Sequence, residues 1–166
     1  MREIKVQQLS DEAFRKYGVY QNLLDNESMK SRTFPSNGFY ADLVFLDFGG
    51  QNLPTISICH IKKSDKNIVD FLEYHQNTCE GLLPLDDDVI LFTGLQMRGE
   101  LNTESLEAFY VPRGTFVKMN PMVVHGLQFP VHNEEAHVVC MLPGRTFHND
   151  VTACRIEDDL EKAVLV

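Results

Sequence analysis

Short apolar stretches, each closed by turn-forming residues, dominate the chain from residue 39 onward. The apolar and polar positions alternate over five to ten residues at a time, as expected for strands with one buried face. Glycine, proline, asparagine and aspartate cluster between them, as in Gly49-Gly50 and Pro143-Gly144. The predicted strands are residues 39–48, 55–62, 68–75, 80–84, 88–94, 106–111, 115–119, 123–130, 136–142 and 152–156. Regular short strands with turns between them predict an all-β sandwich or barrel.

The ends of the chain carry different patterns. Residues 2–9 alternate loosely and predict a first strand, and Ser10 is followed by two acidic residues and, later, by Gly18. An N-cap serine, acids in the first turn and a C-cap glycine predict one short helix over residues 10–17. Residues 20–38 are polar and predict a loop, and residues 157–165 predict a short terminal helix. Nothing resembles a linker, so residues 1–166 are expected to form one domain.

Composition narrows the classes of partner. With 43% hydrophobic residues the chain can build a core, and its net charge of -9 argues against binding nucleic acid or an anionic membrane surface. A small anionic substrate stays compatible, because a pocket can be locally positive. The N-terminus lacks the apolar stretch of a signal peptide, and no run approaches the roughly 20 apolar residues of a membrane span. The four cysteines form no C-x-x-C pair, so we expect free thiols in a reducing cytoplasm.

One segment, FLEYHQNTCEG, concentrates groups that bind metals or transfer protons. It places Glu73, His75 and Glu80 in the order E-x-H-x4-E. Alternate residues of a strand share a face, so Glu73 and His75 are expected to point the same way. Glu80 is expected after a hairpin turn at residues 76–78, on a strand running back beside the first. Some 45 residues later, His125 follows Gly114 by eleven positions and Pro121 by four.

Two interpretations of these four groups stay open. Two carboxylates and two imidazoles suit one divalent transition metal, Mn, Ni, Fe, Co or Zn. Without a metal, the same groups can act as acid, base and hydrogen-bond donors on a polar substrate. Arg113 and Lys118 are further candidates for anchoring a substrate carboxylate; the alternatives are a surface turn, which we favour for Arg113, and an outward strand residue for Lys118. Of the remaining histidines, His137 is expected in the core on a late strand, with a pocket-lining role as the alternative. The others and the acidic run at residues 86–88 fit strand ends, turns and a solvated hairpin better than a site.

These motifs resemble those of the cupins. Cupins carry G-x5-H-x-H-x3,4-E-x6-G and G-x5-P-x-G-x2-H-x3-N, and this chain looks like a variant of both. Glu73 stands at the first histidine of the first motif, His75 and Glu80 at its next two ligand positions, and His125 at the histidine of the second. The resemblance implies a jelly-roll barrel, the double-stranded β-helix, with these four side chains in its interior.

Within the cupins, three stretches resemble the bacterial ureidoglycolate lyase family. They are VQQLSDEAFRKYG, ISICHIKKS…IVDFLEYHQNTCEGLLPL and ESLEAFYVPRGTFVKMNPMVVHGLQFP. A group of uncharacterised bacterial proteins with L-E-Y-H…E and V-E-A-F-x-V-P-x-G-T looks at least as similar. Where the lyases have W-H-H-P, this chain has V-H-G.

The lyase resemblance implies an enzyme, a carbon–nitrogen lyase that splits ureidoglycolate or a similar small polar acid into glyoxylate and urea. It implies catalytic roles for Glu73, His75 and His125, a metal held by these three and Glu80, and a homodimer. Two alternatives remain: another metal-dependent cupin enzyme acting on a sugar or keto acid, and a small-ligand-binding cupin without catalytic activity.

Overall fold

The computed structural model describes residues 1–33, 38–51, 53–96 and 99–166. Within them lie fifteen strands and three short helices. In chain order they are β1 (Arg2–Ile4), β2 (Val6–Gln8), α1 (Asp11–Phe14), β3 (Gly18–Asn22), α2 (Asn26–Arg32), β4 (Pro54–Lys62), β5 (Asn67–Val69), β6 (Phe71–Tyr74), β7 (Glu80–Pro84), β8 (Val89–Leu95), β9 (Glu107–Val111), β10 (Thr115–Met119), β11 (Val123–Val124), β12 (Phe129–Pro130), β13 (Glu135–Pro143), α3 (Thr146–Asn149), β14 (Thr152–Arg155) and β15 (Ala163–Leu165).

Two sheets form the barrel. The first has the order β3-β10-β7-β13-β4, and the second has the order β11-β8-β9-β2, with β12 also paired to β8. The chain crosses repeatedly between them: β7 lies in the first, β8 and β9 in the second, β10 in the first, β11 and β12 in the second, and β13 in the first. Such crossing between facing sheets is the jelly-roll arrangement. The predicted all-β jelly-roll barrel is confirmed.

Apolar side chains from both sheets meet between them. One core cluster joins Leu82 and Val138 of the first sheet to Leu91 and Phe109 of the second, and all four are almost completely buried. A second cluster, around Leu72, packs under the two-stranded pair of β6 and β14. The backbones of Glu73 and His125 form an isolated bridge, which joins β6 to the end of β11.

The N-terminal helix is shorter than predicted. Its N-cap is confirmed, because the Ser10 side chain accepts a hydrogen bond from the Ala13 amide at 3.3 Å. The predicted glycine C-cap is wrong: the helix ends at Phe14, and Gly18 begins β3. Gly18 is needed for a different reason, since a Cβ there would lie 1.8 Å from the carbonyl oxygen of Lys118 on the neighbouring strand.

The loop predicted at residues 20–38 is largely wrong. Its first residues continue β3, and α2 follows with Asp25 as its N-cap, which accepts from the Ser28 amide at 3.0 Å. Polarity alone did not reveal this helix, because its one buried residue is Met29. Residues 34–37 of the predicted loop lie outside the described residues.

Two other predicted elements are also wrong. Residues 39–48 contain no strand: Asp42 has a positive φ of 57°, which breaks an extended course, and Phe45 is 74% exposed. Residues 157–165 are not a helix but a turn followed by β15, which pairs parallel to β1 and antiparallel to β5. None of the helices in the described part of the chain is long and apolar enough to cross a membrane.

Candidate metal centre

The four predicted site residues reach one place from both sheets. Glu73 lies on β6 and His75 directly follows that strand, in the two-stranded sheet of β6 and β14. His125 follows β11 of the second sheet, and its bridge to Glu73 joins the two. Glu80 opens β7 in the first sheet. The predicted hairpin between β6 and β7 is wrong, because β6 pairs with β14 and β7 pairs with β10 and β13. Glu80 therefore approaches the two histidines from the opposite wall.

Three donor atoms converge within the barrel. Glu80 Oε2 lies 3.0 Å from His75 Nε2 and 2.8 Å from His125 Nε2. All three residues are buried, and the three atoms lie within 4.8 Å of one another. Glu73 Oε1 is farther away, 3.8 Å from His125 Nε2, and its side chain keeps 15% exposure.

Backbone carbonyls fix the tautomers of both imidazoles. His75 Nδ1 lies 2.7 Å from the carbonyl oxygen of Asp150, and His125 Nδ1 lies 2.8 Å from that of Val123. Because a carbonyl oxygen only accepts, both Nδ1 atoms carry a hydrogen. In the neutral rings, both Nε2 lone pairs therefore face the carboxylate of Glu80, which is also an acceptor. This arrangement requires a proton or a cation between them.

Opposite charges stabilise each other when a proton occupies the site. Burial opposes ionisation of Glu80, but the charge of His125 at close contact, together with the hydrogen bond and charge of His75, holds the pKa of that carboxyl well below its usual range. Burial also opposes the charge on His125, yet Glu80 and Glu73 raise its pKa to about 9. For Glu73, burial and the neighbouring Glu80 charge outweigh the histidines and raise its pKa.

The residues also fit a metal ion. The donor atom of Glu80 lies 2.8 and 3.0 Å from those of the two imidazoles, and all three lie within 4.8 Å of one another, as in a group of side chains that can hold one metal ion. Among the described residues, buried His125 Nε2 has no hydrogen-bond partner, because its contact with Glu80 is poorly aligned. A histidine held at Nδ1 by a carbonyl and free at Nε2 is the usual form of a metal-binding imidazole.

A cavity of about 710 Å³ borders the centre. Glu73 and Glu80 contribute to its lining together with two thiols, Cys59 and Cys140. Most of the remaining wall is apolar, including four aromatic side chains, Phe71, Phe92, Phe129 and Phe147. Lys62, Asp70 and Arg155 supply its charged groups beyond the two glutamates.

The other predicted candidates lie elsewhere. Arg113 and Lys118 do not line this cavity, and the Lys118 ammonium donates to Asn120 Oδ1 at 2.7 Å. Neither residue is placed to anchor a substrate in this cavity, and the surface turn favoured for Arg113 agrees with its position beside the acidic residues 86–88. The core position expected for His137 is also wrong: its exposed ring stacks on His60 at a centroid distance of 4.8 Å and contacts Asp86.

The acidic run is only partly the solvated hairpin that was predicted. Asp86 is exposed, whereas Asp87 is buried, and its Oδ2 accepts from the backbone amides of three residues: Val131, His132 and Asn133. Asp87 thus anchors a turn.

Sequence reasoning missed a residue that positions the metal centre. The Asp150 carbonyl accepts from His75 Nδ1, and its carboxylate accepts from the amides of Gln76 and Asn77 at 2.9 Å each. Asp150 therefore fixes the loop that carries His75. Because Asp150 lies 75 residues away from His75 in the chain, the spacing of residues within a short motif does not predict the contact.

Cys140 is a second missed neighbour. Its thiol donates to Glu80 Oε1 at 3.3 Å, and it also contacts Cys59. The hydrogen bond with Cys59 and burial raise the pKa of Cys140 far above the ordinary value, so it holds Glu80 as a neutral donor.

Comparison with known proteins gives a structural likeness alone. No known family profile matches the sequence, and no curated protein matches it. Among solved structures, the chain is similar to RmlC from Streptococcus suis in complex with dTDP-D-xylose, at 12% identity and a TM-score of 0.35. The match covers 71% of this chain and 53% of that one, about half of its length. The fold therefore rests on the strand order described above, and the function rests on this chain's own residues.

Proposed function

We propose that this chain is a metal-dependent cupin enzyme that acts on a small organic acid bearing a hydroxyl or carbonyl oxygen. The convergence of His75 Nε2, His125 Nε2 and Glu80 Oε2, with both Nδ1 atoms held by carbonyls, carries the proposal. A divalent Mn, Ni, Fe, Co or Zn ion bound there supplies a Lewis acid for a substrate oxygen.

Glu73 is the group that we propose to move a proton. It lines the cavity and lies beside His125, whereas Glu80 is enclosed by both imidazoles and Cys140. Burial raises the pKa of Glu73 toward the range in which a carboxyl group both accepts and returns a proton. In this proposal Glu80 and the two histidines bind the metal ion, and Glu73 transfers a proton to and from the substrate.

Cleavage of a carbon–nitrogen bond is the specific reaction that the ureidoglycolate lyase resemblance favours. In it, Glu73 takes the proton of the carbinol hydroxyl, the oxygen forms a carbonyl, and the C–N bond breaks with its electron pair on nitrogen. The nitrogen then takes the proton back from Glu73. Ureidoglycolate gives glyoxylate and urea in this way, and atoms and charge balance without an oxidant.

The Glu73→Gln variant separates this role from metal binding. It keeps the size of the side chain but cannot accept the proton, so we expect turnover to fall about a hundredfold or more with unchanged metal content. The assay supplies ureidoglycolate and a panel of 2-hydroxy and 2-oxo acids, and Glu135→Gln, at an exposed carboxylate, is the control. If the metal-loaded wild type converts no member of the panel, the enzyme proposal fails and a ligand-binding cupin is favoured.

A reducing cytoplasm is the compartment that we propose for this chemistry. The four cysteines are free thiols, and Cys79 and Cys140 are buried. Thiols persist in this form where glutathione and thioredoxin keep them reduced.

A further inference from the structure

We propose that the edge of β4 that faces away from β13, here called the open edge, binds a primary amide or ureido group of the substrate through the backbone of His60. The inference rests on the proposed function for the opposite end of the same ligand, whose oxygen faces the centre of His75, Glu80 and His125. The strand register, the backbone hydrogen bonds and the cavity lining carry the amide site itself.

The register of β4 sets the direction of its backbone groups. β4 is the last strand of the first sheet, and among the described residues it pairs with β13 alone. At one end of this pairing the Lys63 amide donates to the Glu134 carbonyl at 2.8 Å, and at the other end the Gly144 amide donates to the Leu53 carbonyl at 2.7 Å. Backbone groups alternate along an antiparallel ladder, so odd-numbered residues bond to β13 and even-numbered residues face the open edge. The N–H and C=O of His60 therefore point to the open edge.

The backbone of His60 borders the cavity. His60 is one of the residues that line it, yet its neighbour Ile61 is buried in the core, so by alternation the His60 side chain lies on the outer face of the sheet. There its ring stacks on His137 and contacts Glu135. Its N–H and C=O have no hydrogen-bond partner in the part of the chain that the structure describes. Both groups are available to a ligand.

The chemistry of this edge selects an amide. A strand residue presents its N–H and its C=O together to whatever pairs with it. A primary amide or a urea carries a carbonyl oxygen and an N–H on one edge, so it accepts from the first group and donates to the second. A carboxylate only accepts, and it leaves the backbone carbonyl without a donor. The open edge therefore favours an amide or ureido group over a carboxylate.

The open edge at His60 lies beside the metal centre. His60 directly follows Cys59, whose thiol contacts that of Cys140. Cys140 in turn donates to Glu80 Oε1 at 3.3 Å. Glu73, the proposed proton carrier, lines the same cavity. A small acid that places its oxygen at the centre therefore has its amide or ureido nitrogen on the side of β4.

Calorimetric titration of the metal-loaded protein tests the amide site with two ligands. N-carbamoylglycine ends in a ureido NH2 group, and N-acetylglycine has a methyl group in its place. We expect N-carbamoylglycine to bind about tenfold more tightly, because the methyl group leaves the His60 carbonyl without a donor. His60→Pro removes the N–H and should weaken N-carbamoylglycine about tenfold. Edge strands tolerate proline where the N–H faces away from the sheet, and Pro54 already holds an even-numbered position of β4.

Two variants are the controls. His60→Ala loses the same ring but keeps the N–H, and Ile56→Pro removes an N–H from the same edge outside the cavity. Both should bind N-carbamoylglycine as the wild type does, and circular dichroism confirms that each variant is folded. Equal affinities of the two ligands for the wild type, or no binding of either, overturn the inference, and so does wild-type affinity in a folded His60→Pro variant. If His60→Pro does not fold, the comparison of the two ligands on the wild type decides.

Metal content of the same samples separates this inference from the proposed function. A protein that prefers N-carbamoylglycine but holds no metal contradicts the proposed function and supports the amide site. A metal-loaded protein that binds both ligands equally is consistent with the metal centre and overturns the amide site.

Discussion

Met122 is held in a left-handed backbone conformation beside the centre. Its φ is 69°, and its amide donates to the carbonyl of His75 at 2.7 Å, so the turn that leads to His125 depends on it. The cupin motif places a glycine eight residues after its first glycine, and that position here is Met122. For a residue with a Cβ this conformation is less stable by about 1–2 kcal/mol, a cost that glycine does not have.

Replacing Met122 by glycine should therefore stabilise the fold. After allowing for the greater flexibility of glycine in the unfolded chain, we expect the free energy of unfolding to rise by about 0.5–1 kcal/mol. Urea denaturation measures it. Val19→Gly, at an exposed strand position without a positive φ, should instead lower stability. A destabilised Met122→Gly variant would show that the methionine side chain outweighs the backbone conformation.

Asp150 should influence metal affinity without touching the metal. Asp150→Asn places an amide group where the carboxylate accepts from the Gln76 and Asn77 amides, so the loop carrying His75 loses part of its support. Loss of such an outer partner typically weakens metal binding by about 10–100-fold, and we expect about tenfold. Competition with a chromogenic chelator measures the affinity, and Asp159→Asn, at an exposed carboxylate outside the cavity, is the control. Equal affinities in both variants contradict the positioning role.

At the scale of elements, the sequence predicts strands well where apolar alternation is bounded by turns. The strands at residues 80–84 and 115–119 have the predicted bounds because both lie inside the first sheet, with neighbours on either side. Prediction fails where partners far along the chain decide the structure. The C-terminal segment has helix-like spacing, but pairing with β1 and β5 makes it a strand.

The buried end of that segment provides a test. Leu165 is 3% exposed and belongs to the second core cluster, so Leu165→Ala should lower the free energy of unfolding by about 2–3 kcal/mol. Leu160→Ala, at an 80% exposed position in the preceding turn, should change it by less than about 0.5 kcal/mol. Thermal and urea denaturation measure both. A neutral Leu165→Ala variant is the result expected of a frayed terminus and contradicts the docked strand.

The residues of the site, like the strands, were predictable where short-range spacing in the sequence decides the structure. Contacts between distant parts of the chain were not predictable. The spacing of Glu73, His75 and Glu80, with His125 at cupin distance, indicated one cluster, and the structure places them together. Spacing did not reveal that Glu80 crosses from the facing sheet. It also did not reveal the role of the Asp150 carbonyl, since every residue carries a backbone carbonyl and its identity does not show which one accepts a hydrogen bond.

At the scale of the whole molecule, we propose a homodimer. Ile56 and Ile58 are 72% and 52% exposed on the outer face of β4, where an apolar pair in water favours association with a second copy. Size-exclusion chromatography with light scattering should report a dimer, and Ile58→Lys should shift it to monomer while Leu160→Lys does not. A wild-type protein that stays monomeric at high concentration contradicts the dimer.

Metal titration of the whole protein tests the central claim most directly. After removal of bound metal with a chelator, calorimetric titration with Zn²⁺, Mn²⁺ or Ni²⁺ should give about one ion per chain. His125→Ala should bind at least about a hundredfold more weakly, since it removes one of three donor atoms. His132→Ala, at an exposed imidazole outside the cavity, should bind as the wild type does. Circular dichroism confirms that each variant is folded. A folded wild-type protein that binds none of these ions, or a His125→Ala variant with wild-type affinity, contradicts a metal centre at His75, Glu80 and His125.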